Sequence, residues 1–142
     1  MYDPFTLIYL NMIKLEEMSS ISKSISLRVP SDVIYRSLKD TRLQRLFPEF
    51  FSGVTRRLTT DNKNNEVEFT TITIDRQFEI KEIFKLKISN ENSTQITYIT
   101  KTNVQGNPVV DSIVLTHIAN VLYALLMLET GYISGLTQLS KK

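Results

Sequence analysis

The last third of the chain carries one uninterrupted helical stretch, Pro108 to Leu139. Asn107 supplies an N-cap residue, and Pro108 takes the first helical position, where a missing N–H costs nothing. Asp111 sits near the positive end of the helix dipole. Placed at helical steps around the axis, Ser112, Thr116, Asn120, Tyr123, Thr130, Ser134 and Gln138 share one face. Apolar residues cover a sector of roughly 220°, against the roughly 100° an ordinary surface helix needs. One sheet does not use up that much surface. The excess must meet a second layer, a partner chain or an apolar ligand. A membrane span is the rival reading. Ile113–Leu128 is interrupted by Thr116, His117 and Asn120 and stops short of the ~20 residues a span requires. The stretch therefore reads as a core helix.

The remainder must supply what that helix packs on. At 142 residues the chain fits one domain with a full-size core. Hydrophobic residues at 42% and charged ones at 23% are ordinary for a soluble globular protein. A net charge of +2, without aromatics interleaved for base stacking, argues against nucleic acid as a partner. With no cysteine there is no disulfide framework and no thiolate chemistry. A cytoplasmic location is expected. Residues 1–17 are apolar through Phe5, Leu7, Ile8, Leu10, Met12, Ile13 and Leu15, yet lack a basic region and a cleavage site for a signal peptide. They read as an extension to a domain spanning 18–142. A start at Met12 or Met18 is the plain alternative, and an added strand or docked helix the structural one.

From Ser19 the pattern is regular. Ile21 to Val29 alternates as a half-buried strand and ends at Pro30. Ser31 and Asp32 open a short helix with Val33, Ile34 and Leu38 inward. A second short helix carries Leu43, Leu46, Phe47, Phe50 and Phe51, divided by Pro48. Strands follow at Val54–Thr60, Val67–Ile74, Phe78–Ile88 and Ile96–Val104, joined by polar turns that favour antiparallel hairpins. Alternation slips near Thr70-Thr71, which predicts a bulge there. The fold class is thus α+β, an antiparallel sheet of about five strands holding one long C-terminal helix, with two short helices after the first strand.

This order, with SISLRVPSDVIYRSLKD followed by RLQRLFPEFFSGVTRRL, resembles the START-like, birch-pollen-allergen-like helix-grip superfamily. The carrying features are Val29-Pro30 before the first short helix and Phe47-Pro48 in the second. The likeness covers about Ser19 to Leu139, with fewer strands than is usual for the superfamily. More narrowly, the chain resembles a small family from thermoacidophilic archaea whose members the resemblance would make fatty-acid carriers. It implies a curved sheet wrapped around the helix, enclosing a hydrophobic cavity and no fixed catalytic residue.

Several residues break the apolar faces. Glu82 is in phase with Ile80 and Phe84, Lys23 with Ile21 and Ile25, and Arg56 with Val54 and Leu58. A buried charge is costly unless paired, so each either sits at a sheet edge or positions a ligand head group. His117, the sole histidine, lies in the apolar sector of the long helix and reads as a hydrogen-bonded core or pocket residue. Ala124, Gly131 and Gly135 share its flank, a spacing that favours close sheet packing over room for a ligand. Arg42, Arg45, Arg56 and Arg57 gather positive charge around the second short helix, a solvated face or an attraction to anionic membrane surfaces.

The expected function is non-catalytic carriage of a hydrophobic small molecule, most concretely a long-chain fatty acid. Its pocket would be walled by Phe78, Ile80, Phe84, Leu86, Ile96 and Tyr98 from the sheet and by His117, Val121 and Leu125 from the helix. Lys23, Arg56 and Glu82 would be the polar groups. Neither metal nor cofactor is expected, because one histidine cannot build a His-rich site and no metalloprotease, nucleophile-elbow or phosphate-loop motif is present. Two alternatives stay open. One is a polyketide-cyclase or dehydratase-like enzyme with Glu82 or His117 as acid or base. The other is an interaction module, a homodimer included, using the apolar helix as its seam.

Overall fold

The alternating segments form a single antiparallel sheet. The structure, a computed structural model, describes residues 20–62, 66–73, 78–104 and 106–140. In chain order the elements are β1 (Ser20–Leu27), α1 (Ser31–Lys39), α2 (Arg42–Leu46), a 3-10 turn (Pro48–Phe51), β2 (Val54–Asn62), β3 (Glu66–Thr73), β4 (Glu79–Asn90), β5 (Ser93–Thr102) and α3 (Pro108–Ser140). The sheet has five strands in the order β1-β5-β4-β3-β2. Successive hairpins pair β2 through β5, and β1 joins the far edge against β5. This is the expected α+β helix-grip arrangement, an open sheet with one long C-terminal helix. The N-terminal extension and the Asp75-Arg76 turn lie outside the described residues.

Local chemistry explains the element ends. The Asn107 side chain accepts hydrogen bonds from the backbone N–H groups of Val109 and Val110 at 3.0 and 3.3 Å, capping α3 as its sequence demands. The Pro30 carbonyl accepts the N–H groups of Val33 and Ile34, so α1 starts without a side-chain cap. The two-residue turn before β2 needs φ = +85° at Gly53, a left-handed conformation that glycine adopts without penalty.

The bulge lies elsewhere than the sequence pattern suggests. β3 alternates cleanly, with Val67, Phe69, Thr71 and Thr73 inward. The register shifts instead in β2, between Leu58 and Thr60, where the hydroxyl of the extra residue Thr59 donates to the Glu68 carbonyl at 3.1 Å. The apparent slip arises because Thr71 is a polar residue on the core face.

One core joins the sheet's inner face to α1, α2 and α3. Its largest buried apolar side chains include Phe69, Phe84, Tyr98, Leu27, Ile34, Leu38, Leu43 and Leu125. On α3, Val110, Val114, Ile118, Val121, Ala124, Leu125 and Leu128 are buried, whereas Leu115, Tyr123, Leu126 and Met127 remain exposed. The apolar excess of this helix is therefore not consumed by the sheet. By length and composition alone, Pro108–Gly135 could cross a bilayer. Its inner side instead packs on the sheet and carries His117, hydrogen-bonded to a strand carboxylate, as a core helix does.

Candidate functional site

Strand register assembles a polar cluster inside this core. Glu82 on β4 stands opposite Phe69 and Thr100, and Arg56 on β2 stands opposite Thr71. Directly opposed residues share a face, so these groups all point inward. The Arg56 guanidinium donates to Glu82 through Nε at 2.8 Å and Nη2 at 3.3 Å. The hydroxyls of Thr71 and Tyr98 donate to the same carboxylate. From above, His117 on α3 places Nε2 3.0 Å from Glu82 Oε1. Glu82 is 0% exposed, the Arg56 side chain 1% and His117 4%. The Arg56 guanidinium carbon also lies 4.3 Å from the Phe69 ring centre and 4.9 Å from that of Phe51, so aromatic faces replace its water.

The electrostatics follow from this geometry. Burial alone pushes the Glu82 carboxyl up, but Arg56, His117 and the Thr71 hydroxyl outweigh it and hold the group well below the usual carboxylate range. Burial and the adjacent Glu82 charge push the Tyr98 phenol up. Glu82 is thus an ionised acceptor surrounded by four donors, with no proton to give. The cluster ties β2, β3, β4, β5 and α3 together at one carboxylate. Among the described residues, no group of three or more metal-ligating side chains forms.

The sequence-derived site residues separate into three sets. Arg56, Glu82, Tyr98 and His117 come together in the cluster. Phe78, Ile80, Phe84, Leu86, Ile96, Val121 and Leu125 are buried in the surrounding apolar core, where Phe84 stacks on Tyr98 at 4.7 Å and meets Phe69 edge-on at 5.9 Å. Lys23 stands opposite Tyr98 on the edge strand but is exposed, so the countercharge of Glu82 is Arg56 and not Lys23. Arg56 likewise does not belong with the exposed Arg42, Arg45 and Arg57. Thr71 was not among the candidates. A polar residue in phase with Val67 and Phe69, on the strand next to an inward glutamate, was the available signal.

Among the described residues, grooves open at two places along α3. The larger, of about 560 Å³, lies between the short helices and the second half of α3. Val33, Leu46, Phe47, Met127, Leu128 and Tyr132 give it apolar walls, and Arg42 is its one charged lining group. Gly131 lines it too. A Cβ added at Gly131 or at Gly135 would meet no atom within 4 Å, so these glycines do not serve close packing, contrary to the expectation from their spacing. The smaller groove, of about 230 Å³, lies between the 3-10 turn with its Gly53 loop and the first half of α3. Phe50, Ser52, Gly53, Val54, Ser112, Ile113, Thr116, His117 and Asn120 line it.

No family model matches the chain, and no curated protein sequence does. Solved structures do. A START superfamily protein from Mycobacterium smegmatis superposes with a TM-score of 0.60 at 11% identity, covering 80% of this chain and 98% of that one. The Zhui aromatase/cyclase from Streptomyces sp. R1128 gives 0.56 at 10% identity, covering 82% and 96%. An HSP90 activator from Plasmodium falciparum gives 0.52 at 14% identity, covering 63% and 76%. At such identities the likeness establishes the fold, which is START-like.

Proposed function

We propose that this START-like helix-grip domain is a non-catalytic carrier of a hydrophobic small molecule, most concretely a long-chain fatty acid, held in the larger groove beside α3. The supporting observation is the groove itself. Its volume of about 560 Å³ falls within the ~300–1,000 Å³ typical of small-molecule sites. Its walls are apolar, and Arg42 at its edge has no ion-pair partner among the described residues. A guanidinium matches a carboxylate through its planar fork, while the alkyl chain follows the apolar walls past Gly131. Burying an alkyl chain contributes ~0.8 kcal/mol per methylene, which makes the chain the main source of affinity and Arg42 the source of head-group preference. The helix-grip core below supplies a rigid floor rather than the binding surface in this reading.

Mass spectrometry of the natively purified protein, and then of its solvent extract, tests the ligand class. Titration with a fatty acid and the alcohol of equal chain length tests the head group. Gly131→Phe should abolish binding of both. Arg42→Met should weaken the acid alone, by about 1 kcal/mol for an exposed charge pair. Extracts without lipid, together with unaltered acid binding in Gly131→Phe, would sink the proposal.

A further inference from the structure

The smaller groove holds a feature that lipid carriage does not use. We infer that it is a separate ligand site, in which His117 Nδ1 accepts a hydrogen bond from a small neutral molecule bearing an O–H or N–H group. The first step is the tautomer. Glu82 is paired with Arg56 and accepts from Thr71 and Tyr98 as well, so it stays an ionised, acceptor-only group. His117 Nε2 lies 3.0 Å from that carboxylate, and two acceptors cannot face each other at such a distance. Nε2 therefore carries a proton, and whenever the ring is neutral Nδ1 carries a lone pair.

The second step is where that lone pair points. Nδ1 has no hydrogen-bond partner among the described residues. The buried side-chain polar atoms left unpaired are Tyr35 Oη, Arg56 Nη1 and Thr100 Oγ1, and Nδ1 is not one of them. The His117 ring forms part of the groove lining, so the unpaired nitrogen reaches the groove rather than a sealed core. A side chain only 4% exposed thus presents one acceptor to a cleft, with its orientation locked from behind by Glu82.

The third step is the chemistry of the walls. Phe50, Val54 and Ile113 are apolar, and Ser52, Thr116 and Asn120 are neutral polar groups. No charged side chain lines the groove, so nothing there compensates an ionic ligand. At about 230 Å³ the space suits a molecule about the size of a single ring, below the range of a lipid chain. The two grooves share no lining residue and occupy opposite halves of α3. The second site therefore goes beyond the carrier reading and stands without it.

Because His117 is the only histidine, its imidazole signals in a long-range ¹H–¹⁵N correlation spectrum need no assignment by mutation. The probes are phenol and anisole, which share a ring and differ in the O–H donor. The free protein should show the Nε2–H tautomer. Phenol should move the Nδ1 resonance saturably, and anisole should bind at least ~10-fold more weakly, a difference of ~1.4 kcal/mol. Thr116→Phe, which fills the groove from an exposed position without touching Glu82, should abolish the phenol response while leaving the tautomer unchanged. Gly131→Phe in the lipid groove should leave phenol binding as it is. A ring protonated on both nitrogens when phenol is bound, an Nδ1–H tautomer, equal binding of phenol and anisole, no saturable shift, or an unaltered response in Thr116→Phe would each overturn the site.

Discussion

Replacing Arg56 with methionine asks what the buried cluster contributes. Methionine keeps most of the apolar stem but removes both hydrogen bonds to Glu82, at 2.8 and 3.3 Å, and the stacking between Phe51 and Phe69. Glu82 would remain 0% exposed with no countercharge. Breaking one side of a buried pair costs about 3–5 kcal/mol, a large share of the ~5–15 kcal/mol that holds a domain together. At ~2–4 °C per kcal/mol, the melting temperature should fall by roughly 6–20 °C. The pH dependence should reverse as well. In the parent, Glu82 is held below the usual carboxylate range, so its contribution is present above the unfolded value of ~4.3 and is lost as pH falls below it. Without Arg56, burial dominates and raises the carboxyl, so stability should increase as pH falls from about 7 toward 5. Adding Glu82→Gln removes the stranded charge and should recover most of the loss. Urea unfolding followed by far-UV circular dichroism across this pH range measures all three proteins. A single variant that loses under about 1 kcal/mol, or a double variant no more stable than the single, would refute the reasoning.

Three further outcomes are expected. Thr71→Val should cost about 1.5–3 kcal/mol in urea unfolding, because it removes a donor to an ionised group, whereas Thr70→Val, pointing to the other face, should stay within about 0.5 kcal/mol. Gly131→Ala should stabilise by about 0.5–1 kcal/mol through helix propensity, since the added Cβ meets nothing within 4 Å; a loss instead would place an unseen neighbour there. Deleting residues 1–17 should leave one cooperative unfolding transition, because the strand, helix and core pattern is complete from Ser19 onward; a molten product by near-UV dichroism would assign the deleted residues to the core.

Much of the fold was legible because its punctuation is strong. Pro30, Pro48 and Asn107-Pro108 mark helix boundaries, and the alternation of β4 from Ile80 to Leu86 is nearly unbroken. Strand ends were less legible: Asn62, Asn90 and Ser93 belong to strands through backbone pairing, which polar side chains do not announce. Phase singled out Glu82, Arg56 and Lys23 alike, since it reports only which face a residue occupies. What covers that face decides burial, and Phe51 of the 3-10 turn covers Arg56 while Lys23 stays open. The larger groove was not legible. It depends on how far α1 and α2 stand from the second half of α3, a distance no periodicity encodes. Thr71 was misread for a different reason, because a polar partner of a buried charge and a break in strand register look the same in one dimension.

The placement of β1 at the edge beside β5 sets the order in which this chain can be built. Ser20 pairs with Lys101 and Leu27 with Thr94, so among the described strands the first synthesised has as its partner the last. The four strands from β2 to β5 pair through neighbours in sequence and can form as they emerge. β1 must wait, with Ile21, Ile25 and Leu27 uncovered, until nearly the whole sheet exists. At ~5–20 residues per second, that wait on the ribosome lasts several seconds. Non-local pairing of this kind slows folding and leaves a strand edge available to other chains. The alternating serines of β1 keep one side of that waiting strand polar, and Lys23 interrupts the apolar side between Ile21 and Ile25. An exposed lysine that contributes nothing to the folded cluster thus has a use earlier, in the nascent chain, as a guard against edge-to-edge aggregation.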